Sequence, residues 1–560
     1  LFLQTKSELE MKKLIAVLVL GISLLHLDSN AQSILSKGGD QIKFKMAQQD
    51  FYGGNYVAAV NEFKEILVNK PKDANIIFHI GECYYMMEDM PSAKDQFIKA
   101  IHADSKEAGE AHLYLGRMLL TEGKLDSAGT ELDTYKGLAG SDSKIKDSDV
   151  MHYINMVKTA KELMAKPIDV KIIPLGENIN SAYDDKRPSV TADGKMMIFT
   201  SRRPEGKGTS DVLGDNKPFD HIFMSTWNDS NKTWNPAEIM PGAINGPGHS
   251  ACSSITADGK QIFIYRNNDE DAKGGEIFVS KVGTSGKWGN PKIMERPINT
   301  SYFEDGAVLT ADGNTIFFIS ERGQDVKAKG GQRGYGNGDI WMAKRKSKTE
   351  WDNPVNLGPD INTQYDEGGI CITPDGKTLF FCSEGHNSMG GYDIFKTTFV
   401  NGKWTIPVNL GYPINSVNNE TSICLSVDGN TGYISSNRPG GMGERDIYKV
   451  DLSNYDLFAG MKKGEVSLAV GPSIVKGTVF TGESGNPLQA ELVIYDESGA
   501  EAGRTTSSED GNYFITLEGD HTYEVKIDVK GCKSIDEKFK LEKGKKETFT
   551  LVKHFLLYKK

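Results

Sequence analysis

The chain has 560 residues, 38% of them apolar, and a formal net charge of −11. At roughly 100–200 residues per domain that length suggests three or four domains, and the acidic balance argues against a nucleic-acid partner, because phosphate binding needs basic surface. Sixty glycines point to many tight turns. In chain order, residues 1–10 do not begin with Met and read as an upstream extension or translation artefact. Met11 opens a different pattern: Lys12 and Lys13 are basic, Leu14–Leu25 is apolar, and Ser29-Asn30-Ala31 is a small-residue cleavage site. Residues 11–31 are therefore expected to be a signal peptide. The apolar run is shorter than the ~20 residues that span a bilayer, and no later segment is long and apolar enough to do so. The cysteines at 83, 252, 371, 382, 424 and 532 show neither CxxC nor metal-ligand spacing. They are expected as buried thiols; a Cys371–Cys382 pair across one predicted hairpin is the alternative.

Over residues 34–165 the apolar spacing is helical and repeats with a period of 34–35. Ala59, Ala93 and Ala128 recur at that interval. Small residues, Ala47, Gly81 and Gly116, stand twelve positions before them, and Phe63, Phe97 and Leu132 four after. Small residues let antiparallel helices approach closely while the large ones fill the gap to the next pair. The pattern, with Gly54, Tyr56 and Pro71 in the first unit, resembles the tetratricopeptide repeat. Three repeats and a closing helix near Asp149–Met164 are expected. That resemblance implies binding of peptides or partner proteins on a concave face. His79 and Glu82 form an H-x-x-E on a helix, but Gly81 already serves the repeat and no third ligand is evident, so no metal is expected there.

From Val170 the period becomes strand-like. An Asp-Gly pair recurs at 193, 258, 312, 375 and 428, each between strand-forming runs, which is a strong hairpin signal. An Ile-Asn pair precedes each by a fixed offset, with Asn180, Asn245, Asn299, Asn362 and Asn415 all 13 residues before the Asp. Eleven residues before the last four stand Trp234, Trp288, Trp351 and Trp404, and a further strand begins at His221, Glu276, Asp339, Asp393 and Asp446. Five four-strand units predict a β-propeller over 168–453. The motifs resemble the WD40-like PD40 repeats, also seen in the TolB propeller. The strand Asp169–Leu175 is expected to complete the last blade and close five; six is the alternative if a unit hides near 454–470. Arg203, Arg322 and Arg438, each ten residues after the hairpin Asp, are the partner-binding candidates for an acidic surface. The competing expectation pairs them within the blade with Asp185, Glu304 and Glu420. The run Asn267–Asp271 is expected to be a solvated acidic loop rather than a Ca²⁺ site.

A linker over 454–471 leads to short alternating strands with regular turn signals over 472–553, the pattern of a β-sandwich, followed by a tail at 554–560. Gly477, Gly485, Pro487, Leu488, Ala490, Thr506, Gly511 and Tyr513 resemble the carboxypeptidase regulatory-like domain, which implies a transthyretin-type adhesive or spacer module without peptidase residues.

No G-x-S-x-G, H-E-x-x-H, Walker A or dinucleotide motif is present. The expectation is a non-catalytic protein without cofactor. The whole order resembles the PorE-type, OmpA-family envelope proteins of Bacteroidota. That resemblance implies a periplasmic, outer-membrane-associated scaffold for type IX secretion or gliding motility, with envelope proteins as partners. The sequence ends at Lys560 without the OmpA-like domain of that group, so peptidoglycan binding attaches to no residue here. A ligand-binding propeller for a glycan, peptide or metabolite is the alternative, and a propeller hydrolase the third.

Overall fold

The computed structural model describes residues 29–560 apart from 139–146, 205–216, 258, 268–273, 284–285, 311–312, 325–333, 348–349, 374–375, 427–428, 456, 458–472, 508–510, 518 and 543–548. Most of the expected leader, of the acidic run after Asn267 and of the linker lies outside these residues. The chain divides into two compact units, residues 1–118 with 134–143, and residues 119–133 with 144–560.

Among the described residues seven helices come first: α1 (Ser29–Tyr52), α2 (Tyr56–Asn69), α3 (Ala74–Met86), α4 (Met90–Ala103), α5 (Gly109–Thr121), α6 (Leu125–Leu138) and α7 (Asp147–Met164). None of them is long and apolar enough to cross a membrane. Asp73 and Asp89 cap α3 and α4, accepting from the amides of Ile76 and Ser92 at 3.1 and 3.2 Å. Such caps satisfy amides that have no partner inside the helix. Consecutive helices α1 to α4 pack pairwise. The repeat positions explain the closeness: Ala47, Ala59 and Ala93 have no exposed surface, and a Cβ on Gly81 would sit 2.7 Å from the Phe97 ring. Burying a side chain such as Phe63 or Phe97 contributes roughly 2–3 kcal/mol.

A strand-rich region follows. Five antiparallel sheets are built in chain order. The first comprises β2 (Asp185–Val190), β3 (Met196–Ser201), β4 (His221–Asn228), β5 (Thr233–Trp234) and β6 (Glu238–Ile239). The second comprises β7 (His249–Ile255), β8 (Gln261–Asn267), β9 (Glu276–Lys281) and β10 (Lys292–Ile293). The third has β11 (Glu304–Leu309), β12 (Thr315–Ser320), β13 (Asp339–Lys344) and β14 (Val355–Asn356). The fourth has β15 (Glu367–Ile372), β16 (Thr378–Ser383), β17 (Asp393–Val400), β18 (Lys403–Trp404) and β19 (Val408–Asn409). The fifth has β20 (Glu420–Leu425), β21 (Thr431–Ser436) and β22 (Asp446–Asp451), and its fourth strand is β1 (Lys171–Pro174), paired antiparallel to β22. The first strands neighbour one another in a closed cycle, β2–β7–β11–β15–β20–β2.

Each second strand is apolar on both faces because a neighbouring sheet covers each face. Phe317 packs with Leu379 and Phe381 of the fourth sheet, whereas Phe318 packs with Phe263 and Ile277 of the second. The Asp-Gly hairpins turn through glycines at φ 66–71°, a region that costs other residues energy. The Thr or Ser three positions before each glycine takes an amide of the following strand on its hydroxyl, at 2.9–3.1 Å, at Thr191, Thr256, Thr310, Thr373 and Ser426.

The C-terminal strands form two sheets around one core. One joins β23 (Ser473–Thr481), β26 (Asn512–Leu517), β29 (Phe549–Val552) and β30 (Phe555–Leu557). The other joins β24 (Glu491–Tyr495), β25 (Glu501–Thr506), β27 (Thr522–Ile527) and β28 (Ile535–Lys540). The core includes Val479, Leu492, Tyr513 and Val525. Residues 554–560, set apart in the sequence as a tail, are part of this body. Phe555 and Leu557 are buried and β30 runs parallel to β23, because Phe-Leu-Leu is a short alternating strand too brief to register as one. All six cysteines are free.

Candidate functional site

The Asn of every Ile-Asn pair joins one sheet to the one before it. Its amide oxygen accepts from, and its amide nitrogen donates to, the backbone of one residue in the preceding sheet's third strand. Asn245 does so with Ile222, Asn299 with Ile277, Asn362 with Ile340 and Asn415 with Ile394, at 2.7–3.2 Å. Asn180 makes the same two bonds, at 2.8 and 3.0 Å, to Ile447 of the fifth sheet.

Arg203, Arg322 and Arg438 are only 18%, 12% and 12% exposed and point into their own sheets. They pair with Asp185 at 2.7 Å, Glu304 at 3.4 Å and Glu420 at 2.9 Å, and donate to the carbonyls of Ile179, Ile298 and Ile414. Their donors serve the ring of sheets, so the geometry matches the pairing that competed with partner binding. The fourth sheet departs from the pattern. Gly385 stands where the arginine would, and a Cβ there would overlap Thr363. His386, at φ 52°, donates instead to the Ile361 carbonyl at 2.9 Å. Glu367, 3% exposed, is left with Thr363 and Ser383 as partners. Burial pushes its carboxyl up to about 8.

Inside the cycle of first strands lies a cavity of about 460 Å³, within the range of small-ligand sites. Inter-sheet bonds girdle it. Ser189 accepts from the Ile255 amide at 3.0 Å, Ser254 donates to the Ala307 carbonyl at 2.7 Å, and Cys424 accepts from the Val190 amide at 3.4 Å. Arg187, at φ 55°, spans from β2 to β11 and grips Asp305 with both terminal nitrogens, at 2.8 and 2.5 Å. Burial opposes its charge, yet Asp305 keeps it firmly protonated. Nearby, Lys186 lies 2.9 Å from both Asp184 and Asp220, Arg445 binds Asp184 at 2.6 and 2.5 Å, and His249 lies 3.1 Å from Asp220. Burial works against ionisation of Asp220, but Lys186 and His249 hold it below the usual carboxylate range. Apart from Cys424, expected only as a buried thiol, none of these residues stood out in the sequence. Arg187 and Asp305 stand seven and six residues after their Asn, so no shared offset marks them.

His79 and Glu82 are 2.6 Å apart on α3, and His79 stacks on Phe63. Among the described residues no three His, Cys, Asp or Glu side chains are grouped to hold a metal ion.

No protein-family model and no curated protein matches the chain. Solved structures match parts of it. The Yersinia enterocolitica type III secretion chaperone SycD, in complex with a peptide of the translocator YopD, is 20% identical over 22% of this chain and 93% of its own, with a TM-score of 0.21. The first TPR of Spaghetti (RPAP3), bound to an HSP90 peptide, is 12% identical over 22% and 95%, with a TM-score of 0.20. The 3-chlorocatechol 1,2-dioxygenase of Rhodococcus opacus 1CP is 13% identical over 16% and 60%, with a TM-score of 0.14.

Proposed function

We propose that the chain is a non-catalytic scaffold that docks segments of partner proteins on its helical array. The observation that carries this reading is the apolar surface of the helices. Val68 and Tyr52 are 80% and 79% exposed, and Ile42, Met46, Val57 and Met86 are exposed around them in sequence. Ile42, Met46 and Tyr52 share α1, and Val57 and Val68 share α2; exposed apolar side chains that form a patch mark interaction surfaces. The regular helix pairs support reading the array as tetratricopeptide-type. The closed cycle of first strands, the Asn staples and the pairing of β1 with β22 support reading the five sheets as a five-bladed PD40-type propeller. The shared core of the last two sheets supports the sandwich. The leader pattern and the order of modules support placement in the periplasm beside the outer membrane, as in PorE-type proteins. The test is cross-linking in native cells followed by recovery of the tagged chain. A stoichiometric set of envelope proteins, lost when Tyr52 and Val68 are both changed to Ser, is the expected result. Recovery of nothing above background overturns the reading.

A further inference from the structure

We propose that the cavity inside the cycle of first strands binds a small organic amine, its ammonium taken by Glu321 and Asp366 and its apolar body by Val308, Ile319 and Ile370. The cavity is a partly open pocket, and all five of these residues line it. Its charges are unevenly satisfied. On one side every cation has its carboxylate: Arg187 has Asp305, Lys186 has Asp184 and Asp220, and Arg445 has Asp184. On the other side Glu321 and Asp366 line the wall, and no lysine or arginine pairs with either among the described residues. Burial, then the charges of Asp366 and Glu304, push the Glu321 carboxyl above its ordinary range. A bound ammonium would offset both effects, since an opposite charge nearby favours the ionised carboxylate.

Two further features of the wall suit a ligand. Ser253 is among the lining residues, and its hydroxyl oxygen is buried without a hydrogen-bond partner; buried polar groups ordinarily find one. Gly368 is the open point of the lining, where an added Cβ would meet nothing within 4 Å. At the neighbouring Gly369 a Cβ would press on Cys382 at 2.7 Å. A side chain at 368 would therefore enter free space instead of disturbing the strand.

Calorimetric titration of the full chain with tryptamine, and with tryptophol and indole-3-acetate as its neutral and anionic counterparts, tests the proposal. Tryptamine binds in preference to both counterparts. Glu321→Gln weakens it by about tenfold, the loss of one charge-assisted contact, and Gly368→Leu abolishes it by filling the space. Glu321→Gln, which preserves shape, decides the matter should Gly368→Leu fail to fold. No heat with tryptamine at millimolar concentration, equal binding of the three compounds, or tryptamine binding unchanged in Glu321→Gln overturns the proposal.

Discussion

Asn180 and Ile447 hold each other by two hydrogen bonds although 267 residues of chain separate them. With β1 beside β22, this contact joins the first sheet to the last and completes a cycle whose other four joints use the same Asn. Asn180→Ala leaves the buried Ile447 amide without its partner, while the Ile447 carbonyl keeps the Leu175 amide; the loss costs on the order of 1–3 kcal/mol. Asn299→Ala breaks an internal joint with the same two bonds and a third, to the Met294 carbonyl at 2.6 Å, and costs at least as much. Urea melts followed by circular dichroism give both values; a negligible cost at Asn180 would show that the closing joint does not hold.

Arg438 is a second joint, within its sheet. Glu420 is fully buried, and Arg438→Ala strands its charge. Removing one partner of a buried ion pair costs about 3–5 kcal/mol. Adding Glu420→Gln recovers part of that loss, which a double-mutant cycle on thermal midpoints measures. Recovery of partners from cells by a still-folded Arg438→Lys chain is expected to match the wild type. Selective loss of partners there would return the arginine to a docking role.

Glu367 sets a pH dependence of the opposite sense to that of a paired carboxylate. Its folded pKa is raised from 4.5 to about 8 by burial. Between those values the unfolded chain has released a proton that the folded chain keeps, so stability falls as pH rises through the window and is lowest above it. Glu367→Gln removes the ionisation. The variant is expected to match wild type near pH 5 and to exceed it by a few kcal/mol at pH 8.5. Chemical denaturation at the two pH values reads the difference directly, and an unchanged difference between them would contradict the assignment.

Much of this was visible in the residues. The Ile-Asn offset marked a repeated structural position, but its hydrogen-bond partner lies in the preceding sheet, where no local spacing can point. The five-residue step from Asn to Asp185, Glu304 and Glu420 announced the arginine pairs correctly. Glycine at 385 could be read as a departure, but its cause, the Thr363 side chain packed against it, could not. The cavity residues were hidden for a related reason. Arg187 and Asp305 come from sheets that are not neighbours, and the space between them exists only once the cycle is closed.

The helical repeat also shows where local chemistry was overruled. The turn after each first helix takes a left-handed residue: Gly54 at φ 80°, Gly123 at φ 72° and, in the second unit, Glu88 at φ 60°. Glu88→Gly is expected to stabilise the fold by about 1 kcal/mol, since glycine adopts this conformation without strain. A higher denaturation midpoint at unchanged slope is the reading that agrees.

The central claim is that partners dock on the helical array. Site-specific photocross-linking in native cells tests it most directly, with the photoreactive residue placed in turn at Tyr52, Val57 and Val68 and, as control, at Ile406 between β18 and β19, which is 66% exposed. Discrete protein adducts at the three helical positions and none at Ile406 are the predicted result. Adducts at Ile406 with none from the helices would place the docking surface elsewhere and contradict the account.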